Sequence, residues 1–513
     1  MICSPFTADF RRLTRSLTIG AAALAVSGCM VGPHYQRASA PVSPRFKELR
    51  PAPGWTYAQP EQAAVAKGEW WRIYRDPQLD ALESQVALNN QNVAEYEARY
   101  RAARAEINAV RAQLFPTLSG SFSFSRNAQG GGSQNSASGS VISSSTGYTK
   151  NTYSIGPSAS WDLDIWGKIR RQIQAQVTES QASAADLANA RLSYQAQLAT
   201  AYFNLHYQDS LHALLARNVA FYTDALRITQ NQVEAGTSDP TAVLEARYQL
   251  EQTRASETAT QTLRAQYEHA IAVLIGKPPA DVSIPVAELS RDIPAIPVTV
   301  PAELLQRRPD VAAAERRMEE YNADIGAAIA AFFPSITLSA SYEQSGDPIG
   351  TIMNIGNRIW SLGASATETL FEGGSRTAAV HQANATYDNY VAQYRQTVLT
   401  ALQNTEDQLS NLRILADQAA QQDVALRFAN QAVTVSMNQY LAGTVIYTSV
   451  ITNEQSALSI AQSALSIQQS RMVDSVSLIE ALGGGWSVTE LPSKGSMQTD
   501  NPFLPSFIQK DKN

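Results

Sequence analysis

The chain has 513 residues, of which only 17% are charged, and a formal net charge of -6. That charged fraction falls below the usual quarter, so Ser, Thr, Asn and Gln carry much of the polar surface. An acidic chain without a basic stripe argues against a nucleic-acid partner, and the length alone leaves the number of domains open.

Residues 1–28 read as an export signal. Arg11, Arg12 and Arg15 form a basic region, Leu17 to Val26 form a short apolar core, and Val26-Ser27-Gly28-Cys29 follows. Small residues before the cut and a cysteine after it suit bacterial lipoprotein processing, in which the Cys29 thiol is acylated. The alternative is an ordinary signal peptide with an incidental cysteine. Cleavage removes three arginines and one aspartate, taking the charge from -6 to -8. It also removes Cys3, leaving one cysteine and no intramolecular disulfide. Met30, rather than an aspartate, follows Cys29 and favours sorting to the outer membrane. One lipid cluster anchors an N-terminus but makes no pore, and no later run approaches the roughly 20 apolar residues of a spanning helix.

After the N-terminal segment 29–77, the stretch from Gln78 to Leu114 carries a heptad. Leu79, Leu82, Val86, Asn89, Val93, Tyr96, Tyr100, Ala103, Ile107, Val110 and Leu114 keep the 3-4 spacing, and only Asn89 is polar. Phe115-Pro116 ends this helix, because proline cannot continue the hydrogen-bond ladder. Strict alternation then begins, predicting strands over about 117–126 and 153–165. In the second, Tyr153, Ile155, Pro157, Ala159, Trp161, Leu163 and Ile165 alternate with Ser154, Gly156, Ser158, Ser160, Asp162 and Asp164. The Ser-rich stretch Asn127 to Lys150 between them, with Gly130-Gly131-Gly132, reads as a flexible external loop. A long helix is predicted over 168–235, a turn over 236–240 and a helix over 241–275. After a linker, 276–308, the plan recurs over 309–482. A helix runs to Phe333-Pro334, strands cover about 335–343 and 359–371, and a long helix covers 375–442. A turn at 443–447, a final helix to 482 and a tail, 483–513, complete it.

The two halves are one internal repeat. "NQVEAGTSDPTAVLEAR" from Asn231 matches "NQYLAGTVIYTSVITNE" from Asn438 at an offset of 207, and "DIWGKIR" from Asp164 matches "LFEGGSR" from Leu370 at 206. Neither Gly nor Pro interrupts Gly167 to Gly236 or Gly374 to Gly443, so each gap holds 68 residues of good helix formers. Such helices are about 100 Å long. The first carries two adjacent stripes: Leu187, Ala190, Tyr194, Leu198, Ala201 and Leu205, beside Ala188, Leu192, Ala196, Ala199 and Phe203. Two seams suit a helix wedged between two neighbours, as in a ring; an ordinary bundle is the simpler alternative. Two shorter helices stacked end to end match the length of one long helix.

The strands are near the roughly 9–11 residues that cross a bilayer at a tilt, and Trp161, Trp166 and Trp360 near their ends fit interfacial girdles. Unpaired edges cannot face lipid, and four strands are too few to close. Copies of the chain must therefore pool their strands; two, three or four copies satisfy this. Inward Asp162, Asp164 and Glu343 would make the lumen mildly acidic. No catalytic constellation accompanies these features. His34, His206, His212, His269 and His381 show no ligand spacing, the seven methionines are scattered, and Gly483-Gly484-Gly485 lacks the Lys-Ser/Thr of a phosphate loop.

Seven motifs, in order, carry a resemblance: "CMVGPHYQR" at Cys29, "WWRIYRDPQLDAL" at Trp70, "FPTLS" at Phe115, "SWDLDIWGKIRR" at Ser160, "RRPDVAAAE" at Arg307, "YLAGT" at Tyr440 and "ALGGGW" at Ala481. Together they resemble the TolC-like outer-membrane factors, in their OprM/NodT-type lipoprotein branch. The resemblance implies a mainly α fold with membrane β: a homotrimer whose 12-stranded β-barrel, four strands per chain, continues into a long periplasmic α-helical barrel. It implies a passive exit duct for efflux, docked to a periplasmic adaptor and an inner-membrane pump of the resistance-nodulation-division type. No cofactor is implied beyond the lipid on Cys29. The exit duct of type I protein secretion is the same-fold alternative, and a trimeric coiled-coil adhesin is excluded by strands inserted twice between helices. Pro116 and Pro334 would mark the junction of tunnel and barrel. Gly236, Thr237, Ser238 and Asp239, with Gly443, Thr444 and Tyr447, would form the periplasmic tips that meet the adaptor. Family members often close the tip with aspartates after the second turn. Val445 to Asn453 contains none, leaving Asp239, Tyr447 or Glu454 as candidates at the aperture.

Overall fold

The computed structural model describes residues 30–48, 68–129, 148–296 and 301–498. Cys29, the signal segment, Gly130-Gly131-Gly132 and the tail beyond Gln498 lie outside the described residues.

The first half contains α1 (Pro77–Asn89), α2 (Gln91–Ala112), β1 (Thr117–Gln129), β2 (Tyr148–Leu163), α3 (Lys168–Glu234) and α4 (Pro240–Leu274). After α5 (Pro301–Arg307), the second half follows with α6 (Pro309–Ala330), β3 (Ser335–Gly346), β4 (Arg358–Thr367), α7 (Ser375–Leu441) and α8 (Tyr447–Ala481). Both long helices have 67 residues and both return helices have 35. All four start at a common offset of 207, so the 206 offset read at "DIWGKIR" reflects a junction one residue longer in the second half, where Gly373 and Gly374 both take positive φ.

The predicted helix 78–114 is two helices. The backbone breaks at Asn90, whose Oδ1 accepts from the amides of Asn92 and Val93 at 2.9 and 3.1 Å, while its Nδ2 donates to the Leu274 carbonyl at 2.8 Å. Asn90 thus caps the start of α2 and holds the end of α4 against it. The heptad stripe survives the break: Leu79, Val86, Val93 and Ile107 are buried, and Asn89, just before the break, is exposed. The second half solves the same problem with Arg308. Its Nη1 donates to the Ala481 carbonyl at 2.8 Å, and Asp310 grips its Nε and Nη2 at 3.0 and 2.7 Å. Leu274 and Ala481 are themselves 207 residues apart.

Each long helix therefore runs beside a stacked pair, α2 on α4 or α6 on α8. α3 lies between both pairs, whereas α7 packs on α6 and α8, with the short α5 and the N-terminal strap against part of its length. The burial follows: both stripes of α3 are covered, with Leu198, Ala199 and Leu205 sealed, but only six residues of α7 are buried. α7 leaves Ile414, Phe428, Val435 and Leu441 half or more exposed. The main core, around Trp70, Trp71, Leu79, Leu205, Ile271 and Val476, sits midway along α3.

The sheet is antiparallel in the order β1-β2-β3-β4. β1 reaches Gln129, further than expected; β2 begins earlier than expected, at Tyr148, and ends at Leu163, short of 165; β4 stops at Thr367, leaving Leu370 and Phe371 exposed beyond it. Directly paired residues share a face. One face carries Leu118, Phe122, Phe124, Ile155, Trp161, Leu338, Tyr342, Trp360 and Leu362, and the other carries the serines. Among the described residues, the outer edges of β1 and β4 have no partner strand.

Candidate transport path and periplasmic tip

The serine face is hydrogen-bonded to itself across the strands. Ser119 meets Ser158 at 2.9 Å, Ser123 meets Ser154 at 2.8 Å and Ser341 meets Ser361 at 2.8 Å, hydroxyl to hydroxyl. Asp162 belongs to this face, accepting from the Thr337 hydroxyl at 2.6 Å, and Glu343 is exposed on it near the far end. Asp164 does not. Its side chain accepts from the Ile169 and Arg170 amides at 2.9 and 3.0 Å and pairs with Arg170 Nε at 3.1 Å, capping the first turn of α3. Gly167 at the N-cap has no side chain to do this, so the carboxylate three residues upstream serves. Glu372 repeats the arrangement on the Arg376 amide and guanidinium in the second half.

Pro116 and Pro334 stand where helix turns to strand. Two tryptophans brace these corners: Trp161 Nε1 donates to the Leu114 carbonyl, and Trp166 Nε1 to the Pro334 carbonyl, each at 2.9 Å. Their indoles therefore satisfy carbonyls of the helix-to-strand corners, besides any place at a membrane rim.

The N-terminal strap starts at this level. The Val31 amide donates to the Trp166 carbonyl, and the almost fully buried Arg171 donates to the carbonyls of Val31 and Gly32 at 3.0 and 3.1 Å. Gly32 lies so close to Gly326 that a Cβ would stand 2.4 Å from its Cα. From there the strap follows α7, through Arg37 to Glu315 and Tyr394, to Glu48 on Arg413.

At the opposite end, the two hairpin turns are near copies. Gly236 has φ +71 and Gly443 φ +72, conformations that suit glycine at a helix C-terminus. The Thr237 amide and hydroxyl both donate to the Gln232 carbonyl, at 2.9 and 3.0 Å, and Thr444 does the same to Gln439 at 2.9 and 2.9 Å. The turns differ at their exits. Asp239 caps α4, accepting from the Thr241 amide and hydroxyl at 2.8 and 2.6 Å, bonds that hold its carboxyl below the usual range. Ile446, its counterpart, caps nothing and is exposed.

Tyr447 is not presented at the tip surface. It is 5% exposed, packed with Ala225 and Val450 and meeting Tyr440 edge-on with ring centroids 4.7 Å apart; the Tyr440 hydroxyl accepts from Gln232 Nε2 at 2.8 Å. Burial, then Tyr440, Asp224 and Glu454, push its hydroxyl up to about 12. Gly236, Thr237, Asp239, Gly443 and Thr444 are exposed together at the tip, Ser238 is partly covered, and Glu454 is half-buried with its carboxyl raised by desolvation. The Gln232–Tyr440 bond, which joins the two hairpins, went unread in the sequence. The alignment of the halves at 207 sets Tyr440 and Tyr447 opposite Val233 and Pro240 but does not show what either ring touches.

Among the described residues, no helix is long and apolar enough to cross a membrane. Outer membrane efflux protein sequences match residues 82–277 and 300–484. The chain is 27% identical to the probable efflux pump outer membrane protein TtgC of Pseudomonas putida over 478 residues, covering 92% of this chain and 96% of that protein. It is 28% identical to outer membrane protein OprJ of Pseudomonas aeruginosa over 473 residues, covering 90% and 94%. Its fold matches the open state of the Neisseria gonorrhoeae MtrE outer membrane channel with a TM-score of 0.75 and 26% identity, over 90% of this chain and 99% of that one. Sheet, stacked helices and paired tips thus assemble one shared architecture: the chain belongs to the outer membrane efflux protein family.

Proposed function

We propose that three copies close into a 12-stranded barrel continuous with a helical tunnel, forming the passive exit duct of a tripartite pump for drugs and other toxic compounds. The observation that carries this reading is that, among the described residues, both the sheet and the helical layer end in open edges. Among the described residues, the outer edges of β1 and β4 have no partner strand, and α7, packed on α6 and α8, leaves Phe428 and Val435 uncovered. A sheet edge facing lipid is untenable, so the edges must meet copies of themselves. In that ring the apolar strand face lies against lipid and the serine ladders line the passage. Serine hydroxyls paired with one another offer a solute a polar wall with few fixed charges, which suits chemically varied cargo. The drive comes from an inner-membrane transporter through a periplasmic adaptor at the tips.

Cys29 precedes Met30, whose side chain lies against Gly167 at the base of the sheet. An acyl chain on that cysteine would add a membrane anchor to the one the strands provide. Deleting the gene and measuring susceptibility, together with co-purification of the adaptor, tests the whole reading. Hypersensitivity to several unrelated toxic compounds is expected. Unchanged susceptibility with loss of a secreted protein would overturn it in favour of secretion.

A further inference from the structure

The four strands carry five charged residues, and the two faces of the sheet sort them. Lys150, Asp162 and Glu343 lie on the serine face. Arg126 and Arg358 lie on the apolar face. Arg126 follows Phe124 by two residues on β1; Arg358 pairs with Gln344, which pairs with Ile155, which pairs with Phe122. Both arginines stand toward the strand ends away from the helices, each nine residues from the helix-side end of its strand, Thr117 or Thr367. Nine residues of tilted strand rise about 20–25 Å, close to the height of an apolar membrane band. Arginine on a lipid-facing surface is unfavourable at mid-bilayer and tolerated at the interface, so the pair marks the headgroup level of the outer leaflet. Phe124 and Trp360, two residues nearer the middle on the same face, are the aromatic neighbours expected there.

Both guanidiniums are exposed, and among the described residues neither has an ion pair or a side-chain hydrogen bond. The sequence from Gly130 to Gly147 adds no carboxylate at this end, and that from Asp347 to Asn357 adds only Asp347. The β3–β4 connection folds over the apolar side of the sheet. A Cβ on Gly346, which shares the face of Tyr153 and Phe124, would meet the Thr351 hydroxyl at 2.5 Å and the Ile352 amide nitrogen at 3.0 Å. Ile352 is buried by this, while Ile349, Met353 and Ile355 of the same connection are exposed.

We propose that Arg126 and Arg358 bind the phosphates of the outer leaflet's phosphorylated glycolipid, whose acyl chains lie along Phe122, Phe124, Tyr342 and Trp360. A guanidinium offers a phosphate two parallel N–H donors, and cations without carboxylates on the outward face complement an anionic headgroup. Because β1 and β4 are the two edges of the sheet, ring closure sets Arg126 on one seam with Arg358 of the partner subunit. This rests on the ring assembly proposed above and adds a lipid to each of its seams.

Native mass spectrometry of the purified full-length oligomer, with bisphosphorylated lipid A as the probe, tests this. Binding is expected to be roughly tenfold weaker in Arg126→Gln and in Arg358→Gln, and weaker for dephosphorylated lipid A on the wild type. Arg126→Lys with Arg358→Lys keeps the charge without the fork and is expected to fall between wild type and the double glutamine variant. Lys150→Gln, on the serine face at the same end, is expected to bind as the wild type does. Undiminished binding in the double glutamine variant, or an equal loss in Lys150→Gln, would overturn the site. Displacement of lipid A by equimolar inorganic phosphate would make this a free-anion site and overturn the lipid assignment. Glutaraldehyde separates the two levels: trimers with undiminished binding in the arginine variants refute the site alone, whereas wild-type monomers only refute the ring.

Discussion

Trp166 donates its indole N–H to the carbonyl of Pro334 at 2.9 Å while stacking on Phe333 at 4.7 Å, so the end of β2 holds the corner where α6 turns into β3. Trp166→Phe keeps an aromatic face for the stack and removes the donor. The carbonyl left open in a part-buried corner costs about 1–3 kcal/mol. The expected outcome is a lower thermal midpoint of the purified protein with efflux retained. An unchanged midpoint would show that water satisfies Pro334 equally well.

Asn90 and Arg308 do one task with different chemistry, and their substitutions should differ accordingly. Asn90→Ala loses a helix cap, worth about 1 kcal/mol. Arg308→Leu also strands Asp310 and the Ala481 carbonyl, and bonds to charged groups contribute about 1.5–3 kcal/mol. Denaturant unfolding of the two variants should therefore rank Arg308→Leu as the more damaging. The reverse order would mean that the α2/α4 stack, not α6/α8, governs stability.

The sequence disclosed what is periodic and hid what depends on a single side chain. The 3-4 and 2-residue repeats located the helices and strands, and glycine and proline fixed the long helices to within a residue or two, because propensity accumulates over many positions. The break at Asn90 was invisible for the opposite reason: the stripe is continuous across it, and only contact with Leu274 turns an asparagine into a cap. Asp164 alternated correctly for an inward residue, yet the N-terminus of α3 claims it. Tyr447 followed a tip turn and looked exposed, but α3 and α8 close over it. Three-dimensional neighbours decided each of these, and the linear pattern does not carry them.

Cys29→Ser tests the lipid anchor separately from the barrel. Incorporation of labelled palmitate is expected to vanish, while the protein remains in the outer membrane because the strands hold it there independently of one lipid cluster. Palmitate retained in Cys29→Ser would place the modification elsewhere.

Gly443→Pro addresses the tip. The wild-type residue has φ +72 and donates its amide to the Tyr440 carbonyl at 2.9 Å. Proline fixes φ near -65° and has no N–H, so the turn cannot form as observed. Transport should be lost while cross-linked oligomers persist, because the open sheet edges on which the proposed assembly rests lie at the other end of the long helices. Gly443→Ala, which costs about 1–2 kcal/mol for the left-handed conformation, should be milder. Full transport by the proline variant would contradict the role assigned to this turn.

Stability should also fall with rising pH through one carboxyl. Glu320 on α6 is pushed from its ordinary 4.5 to about 8, first by burial and then by Glu179 and Asp324, with Arg317 opposing. Arg317 is itself shared with Asp186 and Glu179 across the α3/α6 contact. A carboxyl raised in this way keeps a proton in the folded state that the unfolded chain has already released. The folded state therefore binds more protons between the two values, and stability declines across that interval as pH rises. Glu320→Gln fixes the neutral form. Its thermal midpoint should change less between mildly acidic and mildly alkaline buffer than that of the wild type, and the gap between the two proteins should widen on the alkaline side. Parallel pH profiles would show that Glu320 is already ionised in the folded protein and that Arg317 outweighs its burial.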